Sequence, residues 1–189
     1  PEQMRALREL AFGSPGPLSV WSAGCATGEE AYGVAMAMLE AGRAGRGDRI
    51  LATDVSVRAL ERARAGRYEA WSLRRLPPEL RERWLAGPPP GAEVVAEVRQ
   101  PVELRRHNLV AEPPPGDGFD VVLCRNVLIY FDPVRAAEVL YRLLGATRPG
   151  GLLVLGPVEL PLAAQVEVDW VRAGGATLLR RRGGEPPPR

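Results

Sequence analysis

Residues 119–133 read F-D-V-V-L-C-R-N-V-L-I-Y-F-D-P, and this stretch is the most informative part of the chain. Its apolar first part predicts a buried strand that ends at Cys124, and a helical pattern follows. Arg125 and Asn126 therefore come directly after a central strand, with Tyr130 a few residues later. Open α/β sheets bind ligands outside the carboxyl ends of their strands. The position of these polar residues thus predicts a binding site.

Strand-like and helical patterns alternate on both sides of this stretch. We predict strands at residues 18–22, 50–53, 102–106, 119–124 and 152–155, and helices at residues 29–41, 56–65 and 133–144. Short strands separated by such helices indicate βαβ units and a mostly parallel sheet. A hairpin at residues 166–171 and 177–182 adds two strands. The sequence therefore predicts an α/β domain with a seven-stranded sheet, parallel except for the strand nearest the C-terminus.

Residues 68–100 interrupt the alternation between the second and third strands and predict a small inserted subdomain. Its expected elements are a helix at residues 78–85 and a strand at residues 94–98, with Trp71 and Trp84 as packing residues. We assign residues 1–182 to one domain with this insertion. Residues 183–189 are rich in Gly and Pro, which predicts a tail or linker.

The composition fits a globular domain of 189 residues, 46% of them hydrophobic. No apolar run approaches the ~20 residues that cross a bilayer, so we expect no membrane insertion. A net charge of +2, with scattered arginines, argues against nucleic-acid binding. Two cysteines, Cys25 and Cys124, are expected to be packing residues in a reducing cytoplasm. The single histidine, His107, disfavours a His-based metal site, and we predict no metal.

A glycine-containing turn, S-A-G-C-A-T-G-E-E at residues 22–30, follows the first predicted strand and opens a helix. The spacing is not G-x-G-x-x-G and no Lys follows, which excludes a Walker-type phosphate loop. Glu29 and Glu30 would repel a pyrophosphate at this helix start. They favour a ligand with a cationic amino group and no phosphate, such as S-adenosylmethionine. Simple capping of the helix is the alternative for both glutamates.

The second predicted strand ends at Asp54. An acidic residue at this spacing from the glycine turn typically accepts hydrogen bonds from ribose hydroxyls. The alternative is an N-cap for the following helix. The turn and Asp54 together point to a cofactor that contains a nucleoside.

These motifs together resemble the CheR-type chemotaxis-receptor methyltransferases, which are protein-glutamate O-methyltransferases. The matching stretches are W-S-A-G-C-A-T-G-E-E-A-Y from Trp21, A-T-D-V-S from Ala52, A-R-A-G-R-Y from Ala63, H-N-L from His107, F-D-V-V-L-C-R-N-V-L-I-Y-F-D from Phe119 and R-P-G-G-L-L-V-L-G from Arg148. They follow the family's order and cover about residues 21–156. The resemblance implies a class I, Rossmann-like methyltransferase fold and S-adenosylmethionine as methyl donor, with S-adenosylhomocysteine as product. It also implies a monomeric cytoplasmic enzyme that methylates glutamates of a chemoreceptor-like signalling protein.

The resemblance further implies roles for single residues. Glu29 or Glu30 would bind the methionine end of the cofactor, Arg125 would line the pocket, and Tyr130 would lie near the transferable methyl group. A core aromatic is the alternative for Tyr130. The complete set of cofactor-binding candidates is Ala23, Gly24, Cys25, Glu29, Glu30, Asp54 at the ribose, Val55, Asn108 and Leu109 at the adenine, Arg125, Asn126 and Val127, with Tyr130 and Arg125 as catalytic candidates.

The chain departs from the family pattern in three places. The family's N-terminal helical domain, which ends in a T-x-F-F-R motif near cofactor and substrate, would precede Pro1. The usual G-H-S-E is G-P-V-E at residues 156–159, and the proline after the paired glutamates is Ala31. The insertion is short, which argues against receptor docking there. We therefore expect these residues to bind cofactor but to transfer methyl groups slowly or not at all.

Two other functions stay open at this point. One is a truncated or diverged module that binds S-adenosylmethionine or S-adenosylhomocysteine without transferring methyl groups. The other is a small-molecule methyltransferase, because a fold alone does not fix the acceptor.

Overall fold

A computed structural model describes residues 2–87 and 91–183 of the chain. Its helices are α1 (Glu2–Leu10), α2 (Glu29–Glu40), α3 (Val57–Ala65), α4 (Pro78–Trp84), α5 (Ala96–Arg99) and α6 (Pro133–Ala146), with 3-10 turns at Leu128–Tyr130 and Leu160–Gln165. Its strands are β1 (Ser19–Ala23), β2 (Arg49–Asp54), β3 (Arg67–Tyr68), β4 (Leu85–Ala86), β5 (Ala92–Val94), β6 (Val102–Arg106), β7 (Phe119–Cys124), β8 (Thr147–Leu155), β9 (Val168–Ala173) and β10 (Ala176–Arg181). Apart from Gly183, the predicted C-terminal tail lies outside the described residues.

The main sheet has seven strands in the order β6-β2-β1-β7-β8-β10-β9. Strands β6, β2, β1, β7 and β8 pair in parallel, and β10 is antiparallel to both β8 and β9. The predicted seven-stranded, mostly parallel sheet is confirmed. The strand order reverses between β1 and β7. The carboxyl ends of these two strands therefore flank the crevice in which open α/β sheets bind ligands.

The central strands are buried on both faces, which explains their nearly continuous apolar runs. In β7, Val121 and Leu123 belong to the apolar cluster that also contains side chains of α1, α2 and α3. Val122 and Cys124 belong to a second cluster, with side chains of α6. Because successive side chains of a strand point to opposite faces, one short strand contributes to both cores. The crevice is thus framed by a rigid sheet.

The predicted insertion contains a separate three-stranded antiparallel sheet in the order β3-β5-β4. The predicted strand at residues 94–98 is wrong: β5 ends at Val94 and the short helix α5 follows. Val94 is 2% exposed and Val98 is fully buried. Both a strand and one helical turn can place residues four apart on the same side, so the apolar spacing could not separate the two.

The two tryptophans of the insertion behave differently. Trp84 is 4% exposed, and its indole Nε1 donates a hydrogen bond to Glu40 Oε1 of α2 at 2.9 Å, which confirms it as a packing residue. The same prediction is wrong for Trp71, which is 71% exposed. The guanidinium carbon of Arg74 lies 3.6 Å from its ring centroid, so the ring stacks on a surface cation instead of entering a core.

Helix α1 was not predicted from the sequence. Its Ala6 and Leu7 are fully buried, and the helix packs against β9, β10 and α2. Gln3 Nε2 donates a 2.7 Å hydrogen bond to the carbonyl of Leu155, the last residue of β8. This helix therefore covers one face of the sheet next to the crevice. Within residues 2–87 and 91–183, no helix has the length and apolar character needed to span a membrane.

Candidate functional site

Polar residues follow three neighbouring parallel strands of the main sheet. The turn that begins at Gly24 follows β1, Asp54 ends β2, and Arg125 follows β7. The parallel pairing of these strands brings the three positions to one edge of the sheet. We call this edge, defined by Gly24, Asp54 and Arg125, the carboxyl edge. The sequence-predicted candidates cluster here and along the neighbouring loop after β6.

The turn after β1 packs closely on the segment after β7. Gly24 has a φ of +77°, and a Cβ atom at this position would lie 2.5 Å from Cγ2 of Val127. Only glycine combines this backbone conformation with so close an approach. The pairing of Gly24 with Val127 therefore fixes the spacing between two parts of the candidate site.

The backbone amides of the same turn are used inside the protein. The N–H groups of Gly24 and Cys25 both donate to the carbonyl oxygen of Thr53 at 2.8 Å. The N–H of Ala26 donates to Oδ2 of Asp54 at 2.9 Å. A phosphate loop needs such amides free to face its ligand. Their internal use agrees with the exclusion of a Walker-type loop.

Neither cysteine is available for chemistry. Cys25 and Cys124 are buried and free. Burial, reinforced by the negative charge of Asp54, raises the pKa of the Cys25 thiol to about 12, and burial also raises the pKa of Cys124. Because the thiolate is the reactive form, both are packing residues, as predicted. The side chain of Ala23 is likewise buried, so Ala23 could contact a ligand only through its backbone.

Asp54 connects the turn after β1 to the segment after β2. Its Oδ2 accepts from Ala26 N–H at 2.9 Å and its Oδ1 from Ser56 N–H at 2.8 Å. The N-cap of α3 is Ser56, whose Oγ accepts from Ala59 N–H, so the N-cap alternative for Asp54 is wrong. A carboxylate offers about four acceptor positions, and two remain here. Val55, the next residue, is 55% exposed at the same edge.

Glu30 connects the start of α2 to the segment after β7. Ser22 Oγ donates to its Oε1 at 2.8 Å, and Arg125 Nη1 donates to its Oε2 at 3.2 Å. Only 15% of its side chain is exposed. Burial raises the pKa of Glu30 above its ordinary value of 4.5, against the opposing effects of Arg125 and Ser22. Arg125 keeps one buried donor, Nε, without a partner among the described residues.

Glu29 faces the inserted subdomain. Its carboxylate accepts from Thr27 Oγ at 2.6 Å and from Ser72 Oγ at 3.2 Å, and the residue is exposed. The N-cap position of α2 is Gly28, with no side-chain hydrogen bond. In the described hydrogen bonds, neither Glu29 nor Glu30 accepts from an amide of the helix, so neither caps it by a hydrogen bond, although both lie in its first turn.

The loop after β6 is held by two side chains. Asn108 Oδ1 accepts from the N–H groups of Val110 and Ala111 at 3.0 and 3.2 Å. Arg142 of α6 donates to the carbonyls of Leu109 and Val110 at 3.2 and 2.7 Å. Among the described residues, no hydrogen bond uses the NH₂ group of Asn108. His107 is 5% exposed and strand-terminal, as predicted.

The segment after β7 combines buried backbone with exposed side chains. Leu128 is 1% exposed, whereas Ile129 is 50% and Tyr130 80% exposed, so the core-aromatic alternative for Tyr130 is wrong. The amides of Asn126, Val127 and Leu128 all donate to the carboxylate of Glu159 at 2.8 Å. A rigid turn thus presents Tyr130 to solvent at the carboxyl edge.

Sequence reasoning missed three residues that shape this edge. Ser22 was visible as the single polar residue between buried neighbours at the end of β1, and it holds Glu30. Glu159 was considered only as part of an altered motif. Arg142 carries no sequence signal that distinguishes it from the other arginines.

Residues 3–168 match the family described as CheR methyltransferase, SAM binding domain. The chain belongs to this family. The family resemblance stated from the sequence motifs is therefore confirmed, and the binding domain for S-adenosylmethionine is the part of the family that the chain contains.

Relatives at 36–38% identity include chemotaxis proteins and a biofilm protein. The chain is 38% identical to chemotaxis protein methyltransferase 1 of Pseudomonas aeruginosa over 83% of its length and 60% of that protein's. It is 37% identical to the chemotaxis protein methyltransferase of Escherichia coli over 76% of its length and 52% of that protein's. It is 36% identical to the probable biofilm formation methyltransferase WspC of Pseudomonas aeruginosa over 98% of its length and 46% of that protein's. The chain thus spans about half the length of these curated relatives.

Solved structures confirm the class I methyltransferase fold. The N-methyltransferase NodS of Bradyrhizobium japonicum, in complex with S-adenosylhomocysteine, superimposes with a TM-score of 0.54 at 16% identity over 97% of this chain and 87% of that one. An O-methyltransferase family 2 protein of Planctomyces limnophilus, in complex with apigenin, superimposes with a TM-score of 0.57 at 16% identity over 95% of this chain and 56% of that one.

The residues at the carboxyl edge fit S-adenosylmethionine. Glu30 offers a carboxylate of raised pKa for an amino group, and the Nε of Arg125 is a buried donor without a partner for a carboxylate group. Asp54 keeps two acceptor positions for ribose hydroxyls, and Asn108 keeps its NH₂ group for a base. The carboxyl edge and the loop after β6 thus carry groups that are complementary to the amino, carboxylate, ribose and base parts of the cofactor.

Proposed function

We propose that this chain is the cofactor-binding and catalytic part of a protein-glutamate O-methyltransferase. It would transfer the methyl group of S-adenosylmethionine to glutamate side chains of a chemoreceptor-like signalling protein in the cytoplasm. The domain would comprise residues 1–182, with residues 68–100 as its inserted subdomain and no metal. Family membership and the names of the chemotaxis relatives support this acceptor class.

The observation that carries the proposal is the pairing of Glu30 with Arg125 across the crevice. Glu30 follows β1 and Arg125 follows β7, yet their side chains meet at 3.2 Å. Opposite charges in a mostly buried crevice hold each other in a fixed geometry. An amino acid group of a ligand, with one positive and one negative end, is complementary to this pair. We therefore assign the methionine end of the cofactor to Glu30 and Arg125.

When bound, the cofactor supplies an activated methyl group on a sulfonium. A glutamate acceptor is ionised at neutral pH and needs no base to become a nucleophile. The protein has to orient the two groups, and such positioning can contribute about 7–11 kcal/mol. Tyr130 is 80% exposed at the carboxyl edge, where its hydroxyl can donate a hydrogen bond to the incoming carboxylate. We assign acceptor positioning to Tyr130.

Incubation with radiolabelled S-adenosylmethionine and chemoreceptor fragments tests this function. We expect slow incorporation of label into the receptor fragment, and alkali should release this label as methanol because glutamyl methyl esters hydrolyse under these conditions. A fragment whose candidate glutamates are changed to alanine is the control. Alkali-stable label would contradict ester formation. Label that enters small molecules but never protein would contradict the acceptor class.

A binding module without transfer is the second candidate. It is favoured by Pro157 and Val158, which occupy the positions where the family has His and Ser. Both residues are exposed, Val158 at 68%, beside the buried Glu159. Two apolar side chains here would give an acceptor carboxylate no hydrogen bonds. Binding of S-adenosylhomocysteine without any methyl transfer to receptor fragments would support this candidate.

A further inference from the structure

The side chain of Glu159 has an unusual environment. It is fully buried, and among the described residues it forms no salt bridge. Its Oε1 accepts from the amides of Val127 and Leu128, and its Oε2 accepts from the amides of Asn126 and Gly156, all at 2.8 Å. A carboxylate offers about four acceptor positions, so this one is saturated by backbone donors.

The neighbouring Gly156 makes this arrangement possible. A Cβ atom at residue 156 would lie 2.7 Å from Oε2 of Glu159 and 3.2 Å from the backbone nitrogen of Asn126. The altered motif G-P-V-E therefore keeps the two positions that form the contact. Its two changed positions, Pro157 and Val158, carry exposed side chains. We call Gly156 and Glu159 together the carboxylate clip.

The clip contacts a left-handed part of the backbone. Asn126 has a φ of +60°, a left-handed conformation that is uncommon outside glycine. Such a conformation persists when surrounding contacts determine it. Three of the four amides that Glu159 binds belong to Asn126 and the two residues after it. The preceding residue, Arg125, carries the side chain that pairs with Glu30.

We propose that Glu159 is a positioning residue for the cofactor site. Resting on the proposed function, this inference assigns to the clip the task of holding the left-handed turn at Asn126. This turn directs Arg125 toward Glu30 and keeps Val127 against Gly24. Glu159 itself is buried behind the turn and acts only through these residues.

The variant Glu159→Gln tests this role. A glutamine has nearly the same shape, but its NH₂ group would face two backbone N–H donors that need acceptors. We expect its dissociation constant for S-adenosylhomocysteine, measured by calorimetry where the variant is fully folded, to rise at least about tenfold, a change of 1.4 kcal/mol. Amide hydrogen exchange at residues 126–128 should accelerate. Glu167→Gln, the same change at an exposed position, should alter neither quantity.

A merely structural role for Glu159 predicts a different result. It would lower the melting temperature of Glu159→Gln and leave the affinity of the folded protein for S-adenosylhomocysteine unchanged. That outcome overturns the inference and leaves the proposed function intact. A wild-type chain that binds no S-adenosylhomocysteine would contradict both the inference and the proposed function. Titration of the wild type therefore distinguishes failure of the proposed function from failure of the inference alone.

A second variant keeps the test decisive if Glu159→Gln does not fold. Gly156→Ala retains the carboxylate but adds a methyl group at the position 2.7 Å from its Oε2. We expect weaker S-adenosylhomocysteine binding and faster exchange of the Asn126 amide. Unchanged affinity in folded Gly156→Ala would overturn the inference.

Discussion

The turn after β1 and the turn after β7 lie side by side at the carboxyl edge, and a carboxylate holds each of them. Asp54 accepts from one amide of the first turn, that of Ala26, and from the amide of Ser56 after β2, and it keeps two acceptor positions at a partly exposed site. Glu159 accepts from three amides of the second turn and from the amide of Gly156 after β8, and it is fully buried. The difference separates two tasks. A carboxylate with free acceptor positions can bind a ligand, whereas a saturated one can only position the residues that do.

Glu30 stands between the two turns and differs from both of these carboxylates. Its partners are side chains, Ser22 and Arg125, and it is mostly buried. Side chains can rearrange around a ligand more readily than backbone amides can. Glu30 is therefore mostly buried, though less so than Glu159, and like Asp54 it can still bind a ligand.

The largest loss of cofactor affinity is expected from a substitution at Glu30. We predict that Glu30→Gln weakens binding of S-adenosylhomocysteine by about 2–4 kcal/mol, because it removes a charged partner of the ligand amino group and of Arg125. Glu29→Gln is the matched control, since its exposed carboxylate faces Thr27 and Ser72. Equal losses in calorimetric titrations of the two variants would show that the Glu30–Arg125 pair does not select the ligand.

The raised pKa of Glu30 gives two pH dependences of opposite sign. The unliganded folded protein holds this proton more tightly than the unfolded chain, so the contribution of Glu30 to stability is lost as pH rises from 4.5 through the raised pKa. Ligand binding needs the ionised carboxylate, so affinity should increase over the same interval. Both dependences should be weaker in Glu30→Gln, measured by thermal melts and by calorimetry between pH 4.5 and 7.5. If stability and affinity depend on pH in the same way in the wild type and in Glu30→Gln, the titration of Glu30 does not cause these dependences.

A smaller loss of cofactor affinity is expected from a substitution at Asp54. Asp54→Ala should weaken S-adenosylhomocysteine binding by ~1–3 kcal/mol, because it removes the acceptors for the ribose hydroxyls. The exposed Asp117→Ala is the control for the loss of one negative charge. Calorimetry should show this loss of binding free energy for S-adenosylhomocysteine. Methionine alone should be bound with unchanged affinity. An unchanged affinity for the full ligand would remove Asp54 from the site.

Tyr130 should affect transfer and not binding. In Tyr130→Phe we expect the rate of methyl transfer to fall by about tenfold, the value of one hydrogen bond to a charged acceptor. Its melting temperature and its S-adenosylhomocysteine affinity should stay at wild-type values, since the side chain is 80% exposed. Tyr141→Phe, on α6, is the control. An unchanged transfer rate would assign acceptor positioning to other residues.

The smallest effect concerns the contact between the turn after β1 and the inserted subdomain. Tyr68 of β3 donates a 2.7 Å hydrogen bond to the carbonyl of Thr27. Tyr68→Phe should lower the free energy of unfolding by about 1 kcal/mol, because it leaves this carbonyl without its donor. Urea denaturation measures this change. Stability equal to that of the wild type would show that the subdomain does not support the turn.

Much of the fold could be predicted because the central strands have nearly continuous apolar runs. The runs at β1, β2 and β7 end in Gly24, Asp54 and Arg125, which places the carboxyl edge as well. Helix α1 was missed although Met4, Leu7 and Leu10 recur at helical spacing, because its nine residues are fewer than the roughly 11–18 over which such a period identifies a helix. The strand predicted at residues 94–98 was wrong because the apolar spacing fits either structure.

The arrangement of the site was less predictable than its position. The pairing of Glu30 with Arg125 joins residues 95 positions apart and depends on the order of the strands. The contact of Glu159 with four amides depends on a left-handed turn at Asn126, a conformation in which asparagine is enriched, but no residue pattern shows which carboxylate binds that turn. Sequence patterns locate strand ends, but the partners of buried carboxylates follow from the packing of the whole edge.

The most direct test of the central claim is the change in backbone amide chemical shifts when S-adenosylhomocysteine is added to this 20.5 kDa chain. We predict shifts that cluster at residues 23–30, 54–56, 107–111 and 125–128. They should saturate together at one dissociation constant and be absent with adenosine diphosphate. Shifts confined to other parts of the chain, or no shifts at all, would contradict a cofactor site at the carboxyl edge.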